Sequence, residues 1–143
     1  MNRTIWILVV LTTMFSLGHH VDHALRHHAG WPVDNRITPF TLALGIYVAI
    51  AIGTVLSRRG VVGPGFWSIL AAIGVAFITL THFGPFAEDP PARFASEYGS
   101  QTKGMMSLIW LCGFEITLAV AMIYSGYRWM LLRRRTLAPE VAR

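Results

Sequence analysis

The stretch TIWILVVLTTMFSLGHHVDHALRHH (residues 4–28) decides how this chain folds and where its chemistry lies. Its first fifteen residues carry no charge, and the next ten contain five of the six histidines of the protein. Fifteen helical residues extend over only about 22 Å, whereas the hydrocarbon core of a bilayer is about 30 Å thick. A membrane-spanning helix here therefore predicts that the first histidines lie at the edge of the apolar layer.

The composition favours a protein that is solvated mainly by lipid. Hydrophobic residues make up 54% of the 143 residues and charged residues only 13%, whereas soluble domains contain about 25% charged residues. The net charge of +5 comes from basic residues at the ends of apolar segments. Because these residues form no basic face with interleaved aromatic residues, nucleic acid is excluded as a partner. The single cysteine excludes an intramolecular disulfide and a CxxC motif.

Four apolar segments predict an all-α integral membrane protein, a bundle of four transmembrane helices in one domain that comprises residues 1–143. The predicted helices cover approximately residues 4–28, 37–57, 65–84 and 104–133. A long loop, residues 84–104, joins the last two of them.

The distribution of basic residues predicts how the bundle is oriented. Eight arginines lie on one side, namely Arg3, Arg58, Arg59, Arg128, Arg133, Arg134, Arg135 and Arg143. Four basic residues lie on the other side, namely Arg26, Arg36, Arg93 and Lys103. Because the cytoplasmic side carries the excess of Lys and Arg, both termini are expected in the cytoplasm. The histidines then face the outer side of the plasma (inner) membrane.

The histidine pattern predicts a transition metal site. At about 100° per residue, His20, His23 and His27 project within roughly 60° of one another on a helix. His82 lies near the end of the third helix, at a matching depth. Imidazole is a ligand of zinc, iron and copper, so we expect one of these ions. The predicted ligands, in decreasing rank, are His20, His23, His27, His82, His19 and His28.

Three acidic residues near the histidines are expected to support the ligands. Metal-ligating histidines usually donate their second N–H to a carboxylate or a carbonyl group, and Asp22, Glu88 and Asp89 are the candidates. Asp22 also lies four residues before Arg26, which is the spacing of an ion pair on a helix. Glu88 and Asp89 belong to the long loop, which is either a lid over the site or a surface connector, and as part of a lid they could also be carboxylate ligands.

Glu115 is a separate candidate, because it lies about 15 Å inside the fourth helix. An ionisable group near the middle of a bilayer is costly and is a functional candidate by default. We interpret Glu115 as a catalytic proton relay or as a protonated structural acid. Its expected hydrogen-bond partner is Thr13 or Ser16 of the first helix.

Residues 23–28 (HALRHH) resemble one histidine box of the membrane di-iron hydroxylases and desaturases. The resemblance covers these six residues. The enzymes of that class carry several such boxes and more histidines than this chain has. A di-iron site of that kind would therefore need carboxylate ligands or a second subunit.

The leading functional hypothesis is a small polytopic membrane protein that binds a transition metal, either as a metal-dependent enzyme or as a redox protein (an oxidoreductase). One alternative is an electron carrier linked to a quinone, with haem b between the first and third helices. Another is a non-catalytic accessory or pH-sensing subunit of a larger membrane complex. Small residues at four-residue spacing, such as Gly45, Ala49 and Gly53, favour close helix packing or a homodimer.

Overall fold

The computed structural model describes residues 2–26, 37–85 and 87–137. All regular structure in these residues is helical, as predicted. The helices, in chain order, are α1 (Arg3–Leu25), α2 (Pro39–Ala43), α3 (Gly45–Arg58), α4 (Pro64–Ile78), α5 (Phe94–Glu97) and α6 (Gln101–Leu137). A π-helical turn, Thr79–Phe83, continues α4, and a 3-10 turn, Pro91–Arg93, precedes α5.

Four helical segments are long and apolar enough to cross a membrane, which confirms the four apolar helices predicted from the sequence. They are Arg3–Leu25, Pro39–Arg58, Pro64–Phe83 and Gln101–Arg135. The second segment is interrupted at Leu44, between α2 and α3, where the sequence predicts a continuous helix. Gly45 follows this break, and glycine weakens a helix by about 1 kcal/mol relative to alanine. The interruption therefore falls where the helix is intrinsically weak.

Side-chain caps fix where the first two of these segments begin. The Asn2 side chain accepts a hydrogen bond from the Thr4 backbone N–H at 2.9 Å. Thr38 and Thr41 form a reciprocal capping box, and Pro39 occupies the first helical position. These groups satisfy backbone N–H groups that have no partner within the helix. Both segments therefore start within two residues of the predicted positions.

The core of the bundle lies between α1, α4 and α6. These helices contribute the buried apolar residues Leu8, Ala71, Ile78, Leu111, Phe114, Leu118 and Ala121. The helices α1 and α6 approach closely at Gly18, where a Cβ atom would lie 2.3 Å from the Trp110 ring. The Trp110 indole N–H donates to the Phe15 carbonyl oxygen at 3.0 Å. Only glycine permits this approach, as is common at helix contacts in membranes.

Polar and apolar side chains are distributed as solvation by lipid predicts. Among the described residues, ten apolar and ten polar residues are buried, whereas 27 large apolar side chains are exposed. A water-soluble domain buries mainly apolar residues, because a buried polar group needs a partner. In the described part of this chain, buried polar residues are instead as numerous as buried apolar ones.

The loop predicted over residues 84–104 folds over the ends of α1 and of the π-helical turn. We call residues 84–85 and 87–100 the cap segment. The part of the bundle beneath the cap segment is called the histidine end. Within the cap segment, Asp89 and Phe94 are only 3% and 1% exposed. The short helix α5 ends before Gly99, whose φ of +59° is a conformation that glycine adopts without strain. The next helix, α6, then begins at Gln101, three residues earlier than predicted.

Candidate metal centre

Three buried histidines meet at the histidine end of the bundle. The Nε2 atom of His19 lies 3.1 Å from Nε2 of His23 and 3.1 Å from Nε2 of His82. One ring nitrogen from each of the three residues lies within 4.8 Å of the other two. The residues are 4%, 8% and 2% exposed, respectively. This group could hold one metal ion.

The local backbone brings the three imidazole rings together. His19 and His23 are four residues apart on α1, so they lie on one face of the helix, with ring centroids 4.5 Å apart. His82 belongs to the π-helical turn that ends the third membrane-length segment. Such wider turns are rare in proteins overall, but many of those that occur are at functional sites.

The hydrogen bonding of His82 identifies the nitrogen that is available to a metal ion. Its Nδ1 atom lies 2.7 Å from the backbone carbonyl oxygen of Asp89. A carbonyl oxygen only accepts hydrogen bonds, so Nδ1 must carry the proton. In the neutral ring, Nε2 of His82 is then a free lone pair, and this is the atom that faces His19.

The three Nε2 atoms compete for protons when they are this close. His19 Nε2 has two neighbours at 3.1 Å, in His23 and His82. One N–H group on His19 forms a strong, linear hydrogen bond with only one of them. A metal ion at this point would replace the shared proton and accept a lone pair from each ring.

Asp89 lies behind two of the three histidines. Its carboxylate Oδ2 is 3.6 Å from His82 Nδ1 and 3.7 Å from His23 Nδ1. The His23 Nδ1 atom is buried and has no hydrogen-bond partner among the described residues. Ligating histidines usually donate this second N–H to a carboxylate or a carbonyl group. Asp89 is therefore placed to act in this way on both rings.

Arg26, which is only 3% exposed, joins the carboxylates behind the histidines. Its Nε donates to Asp22 at 2.9 Å, and its two terminal nitrogens donate to Asp89 at 2.8 and 2.7 Å. One terminal nitrogen also donates to Glu97 at 2.6 Å. The guanidinium group lies 4.1 Å from the ring centroid of Phe94, in cation–π geometry. The arginine thus ties α1 to the cap segment.

The hydrogen bonds of this network shift the pKa values of Arg26, Asp89 and Tyr98, which lie outside the four membrane-length helices. Burial alone would lower the pKa of Arg26, but hydrogen bonds to Asp89 and Glu97 raise it above its ordinary value. Burial alone would raise the pKa of Asp89, but Arg26 lowers it through hydrogen bonds and its positive charge. Burial and a hydrogen bond to Asp22 raise the pKa of Tyr98 to about 12. At neutral pH, Asp89 is therefore ionised and Tyr98 keeps its proton.

His20 lies outside the group of three and contacts α3 instead. Its Nδ1 is 2.8 Å from the Ser16 carbonyl oxygen and 2.9 Å from the Tyr47 hydroxyl oxygen. The spacing of the histidines favours His20 over His19 as a ligand, whereas the structure brings His19 into the group. Residues 19 and 20 are each about one turn from residue 23. The sequence alone therefore does not reveal which of the two faces α4.

The other predicted residues near the site have different positions. Two of the predicted ligands, His27 and His28, lie outside the described residues. Asp22 accepts hydrogen bonds from Arg26 at 2.9 Å and from the Tyr98 hydroxyl at 2.6 Å. The ion pair expected four residues apart is therefore present. Glu88 is exposed, and the roles predicted for Asp22 and Glu88 at the metal stay predictions.

Glu115 faces α4 rather than α1. Its Oε1 accepts a hydrogen bond from the Thr79 hydroxyl at 2.7 Å, and its Oε2 has no hydrogen-bond partner among the described residues. The expected partners are wrong, because Thr13 bonds to a carbonyl of its own helix and Ser16 to Tyr47. The cause is the rotation of α6 about its axis, which the sequence does not specify. The catalytic role of Glu115 stays a prediction.

Three residues of the site were not predicted as members of it. Glu97 and Tyr98 reach Arg26 and Asp22 from the cap segment, and Tyr47 reaches His20 from α3. For Glu97 and Tyr98, the only signal in the sequence is that an acid and a tyrosine are adjacent in the loop after its two prolines.

A cavity of about 330 Å³ runs from the histidines toward the opposite end of the bundle. Its wall follows α1 from Ile5 to His23, α4 and its π-helical turn from Trp67 to His82, and part of α6. Thr38 and parts of α2 and α3, namely Pro39, Phe40, Leu42, Ala43, Ile46 and Ile50, contribute the remaining side. The three histidines are themselves part of the wall, so the candidate metal centre faces this cavity.

Comparisons with protein-family models, with curated proteins and with solved structures find no match to this chain. Its function therefore has to be inferred from the residues and the geometry of the site.

Proposed function

We propose that this protein is an integral membrane metalloprotein in which His19, His23 and His82 bind one transition metal ion. The observation that carries the proposal is the convergence of three buried ring nitrogens within 4.8 Å of one another. A buried polar group is costly unless it is hydrogen-bonded, and the one Nε2 atom of His19 can form a strong hydrogen bond with only one of its two neighbours. Three imidazoles in contact inside an apolar bundle are therefore best explained by a common ligand.

The distances support an ion of the size and geometry of zinc. With metal–nitrogen bonds of about 2.0–2.1 Å in a tetrahedral site, two ligand nitrogens lie about 3.3 Å apart. The two contacts of His19, both 3.1 Å, are close to this value. The third pair, the ring nitrogens of His23 and His82, is at most 4.8 Å apart and would have to approach to about 3.3 Å around the ion. The same donor set also suits iron and copper.

The surrounding charges favour a cation. Asp22 and Asp89 both bind Arg26, so these three side chains alone carry one net negative charge. The Asp89 carboxylate lies 3.6–3.7 Å from the outer nitrogens of His23 and His82. A negative charge at this distance, in a medium of low dielectric constant, stabilises a cation held on the far side of the rings.

Three protein ligands leave one position open on a four-coordinate ion. This is the arrangement of catalytic zinc sites, where water or substrate takes the fourth position, whereas structural sites are closed by four protein ligands. A reaction at the site would therefore take place on the cavity side of the histidines. Haem is less favoured, because two axial histidines have a porphyrin between them, whereas His19 and His82 are in direct contact.

Metal analysis of the purified protein tests the proposal. The protein is stripped with a chelator in detergent and titrated with Zn²⁺, and the bound metal is measured by mass spectrometry. We expect about one ion per chain in the wild type. His19→Ala and His82→Ala should each lower the affinity by more than about 100-fold, since changes behind the ligands alone cost about 10–100-fold.

His20→Ala is the matched control, because it removes the neighbouring imidazole from the same helix. We expect this variant to keep its metal, since His20 contacts Ser16 and Tyr47 instead of the group of three. Equal losses in His19→Ala and His20→Ala would argue for a diffuse histidine-rich patch. A wild-type protein that binds no metal would contradict the proposal outright.

We also propose that the metal centre faces the outer side of the plasma membrane, with both termini in the cytoplasm. The excess of basic residues at the opposite end of the helices supports this orientation. Ala92→Cys and Val61→Cys, both at exposed positions, can be labelled in whole cells after Cys112→Ser removes the native thiol. An impermeant reagent should label position 92 only. Labelling of position 61 alone would reverse the orientation.

A further inference from the structure

The cavity that adjoins the histidines is long and narrow. Its wall on α1 extends from Ile5 to His23, which is about 27 Å of helix. On α4 and its π-helical turn the wall extends from Trp67 to His82, about 22 Å. An apolar cavity of about 150 Å³ holds one benzene ring. Roughly twice that volume, 330 Å³, drawn out over more than about 20 Å, suits a linear chain rather than a ring system.

The polar groups of the cavity wall are concentrated at one end. At this end lie His19, His20, His23, His82, Glu88 and Asp89. Farther along, the polar side chains of α1 are already satisfied: Thr12 donates to the Leu8 carbonyl oxygen at 2.8 Å, and Ser16 bonds to Tyr47 at 3.0 Å. The remaining length is lined mainly by aliphatic and aromatic side chains, with Ser125 of α6 as a further small polar residue. The cavity therefore has one polar end and an apolar body.

The wall formed by α2 and α3 separates the cavity from the lipid only loosely. No residue of α2 is buried, and in α3 only Gly53 and Ser57 are buried. The residues of this part of the chain that line the cavity are all partly or fully exposed, namely Thr38, Pro39, Phe40, Leu42, Ala43, Ile46 and Ile50. A ligand dissolved in the bilayer could therefore reach the cavity from the side, between α3 and the rest of the bundle.

We propose that the cavity binds a single-chain amphiphile, a long-chain fatty acid or fatty ester. Its head-group oxygen would take the open position of the metal ion, and its chain would extend toward Trp67. This inference rests on the proposed metal centre and adds the class of molecule that this centre receives. The cavity and a single-chain amphiphile match because each has one polar end and one narrow apolar body.

Photo-crosslinking tests where the chain lies. The metal-loaded protein in lipid nanodiscs is equilibrated with palmitic acid that carries a diazirine at the end of its chain, irradiated and analysed by mass spectrometry. We expect crosslinks near Trp67, Ala71 and Ala121, and we expect unlabelled palmitic acid to suppress them. Crosslinks spread over the lipid-facing surface and insensitive to the competitor would overturn the proposal.

A matched pair of variants tests whether the cavity is the binding site. Ala71→Phe fills the cavity at a position that is 7% exposed, whereas Ala76→Phe makes the same change on an exposed face of the same helix. We expect Ala71→Phe to reduce specific crosslinking at least tenfold and Ala76→Phe to leave it unchanged. If Ala71→Phe fails to fold, Ile46→Trp on the less buried wall replaces it, with the exposed Val48→Trp as its control. Wild-type crosslinking in the filling variant would contradict the proposal.

Metal content separates this inference from the proposed function. Ala71 lies eleven residues before His82, about 16 Å along the helix, so Ala71→Phe should bind Zn²⁺ like the wild type. Stripping the metal should weaken binding of palmitic acid several-fold without moving the crosslinks, because only the head group loses its partner. Unchanged affinity after stripping would refute the contact between head group and metal. A protein that holds zinc but no chain would refute this inference alone.

Discussion

The histidine end is held together by many buried polar contacts, whereas α3 is attached to the bundle by few. At the histidine end, Arg26 is 3% exposed and makes four hydrogen bonds to three carboxylates. Along α3, only Gly53 and Ser57 are buried, and Tyr47 and Ser57 make the hydrogen bonds to other helices. Lipid tails are as apolar as leucine, so apolar burial does little to hold membrane helices together. Polar contacts therefore decide which part of this bundle is rigid.

The difference gives the two regions different roles. A metal centre needs ligands whose orientation is fixed by a second layer of hydrogen bonds, and Asp89 and Arg26 would provide that layer for the proposed metal centre. A site that receives a molecule from the bilayer needs a wall that can move aside. The weak attachment of α3 would meet this need for the proposed ligand, because its hydrogen bond to a histidine is to His20 and not to the group of three.

The largest effect is expected for Arg26→Met, which keeps an unbranched apolar stem but removes the charged guanidinium group. The change leaves the carboxylates of Asp22, Asp89 and Glu97 without this partner in a buried setting. Removal of one partner of a buried ion pair costs about 3–5 kcal/mol. We expect a loss of this size in the free energy of unfolding, measured in mixed micelles.

Arg93→Met is the control for this prediction, because Arg93 is exposed and, among the described residues, the only hydrogen bond of its side chain is a long one, 3.4 Å, to a backbone carbonyl oxygen. It should change the free energy of unfolding by less than about 0.5 kcal/mol. Similar losses in the two variants would show that the histidine end is no more rigid than the protein surface.

The next largest effect is expected for Asp89→Asn, and it concerns the affinity for the metal ion. This variant keeps the backbone carbonyl that accepts from His82 but removes the negative charge behind His23 and His82. We expect the affinity for Zn²⁺ to fall by about 10–100-fold, the usual cost of a change behind metal-ligating histidines. Glu88→Gln makes the same change at the adjacent, exposed residue and should have little effect. If both variants bind Zn²⁺ like the wild type, Asp89 does not support the ligands.

The sequence predicts the helices better than it predicts the faces that they turn to one another. The apolar run of residues 4–18 and the depth match of His82 follow from length and periodicity, and both hold in the structure. The choice between His19 and His20 depends on the rotation of α1 by one residue, about 100°. Glu97 and Arg26 are 71 residues apart, so their contact depends on how the cap segment folds. Local patterns carry no information about such contacts.

A smaller effect is expected where α3 is attached. The indole N–H of Trp67 donates to the Ser57 hydroxyl oxygen at 2.9 Å. Hydrogen bonds between membrane helices contribute about 0.6 kcal/mol on average in double-mutant cycles. A cycle of Ser57→Ala and Trp67→Phe should therefore give a coupling free energy near that value. A coupling free energy as large as the effect of Arg26→Met would mean that α3 is anchored as firmly as the histidine end.

The smallest effect is expected for Glu115→Gln, which lies outside both regions. In the wild type, the Thr79 hydroxyl donates to Glu115 at 2.7 Å. The glutamine keeps an oxygen that can accept the same hydrogen bond. The neighbouring residue, Phe114, faces His19 with ring centroids 5.8 Å apart and lines the cavity, whereas Glu115 points about 100° away on the same helix. The variant should therefore bind one equivalent of Zn²⁺ and change the free energy of unfolding by less than about 0.5 kcal/mol. Loss of the metal would instead place the Glu115 carboxylate among the ligands.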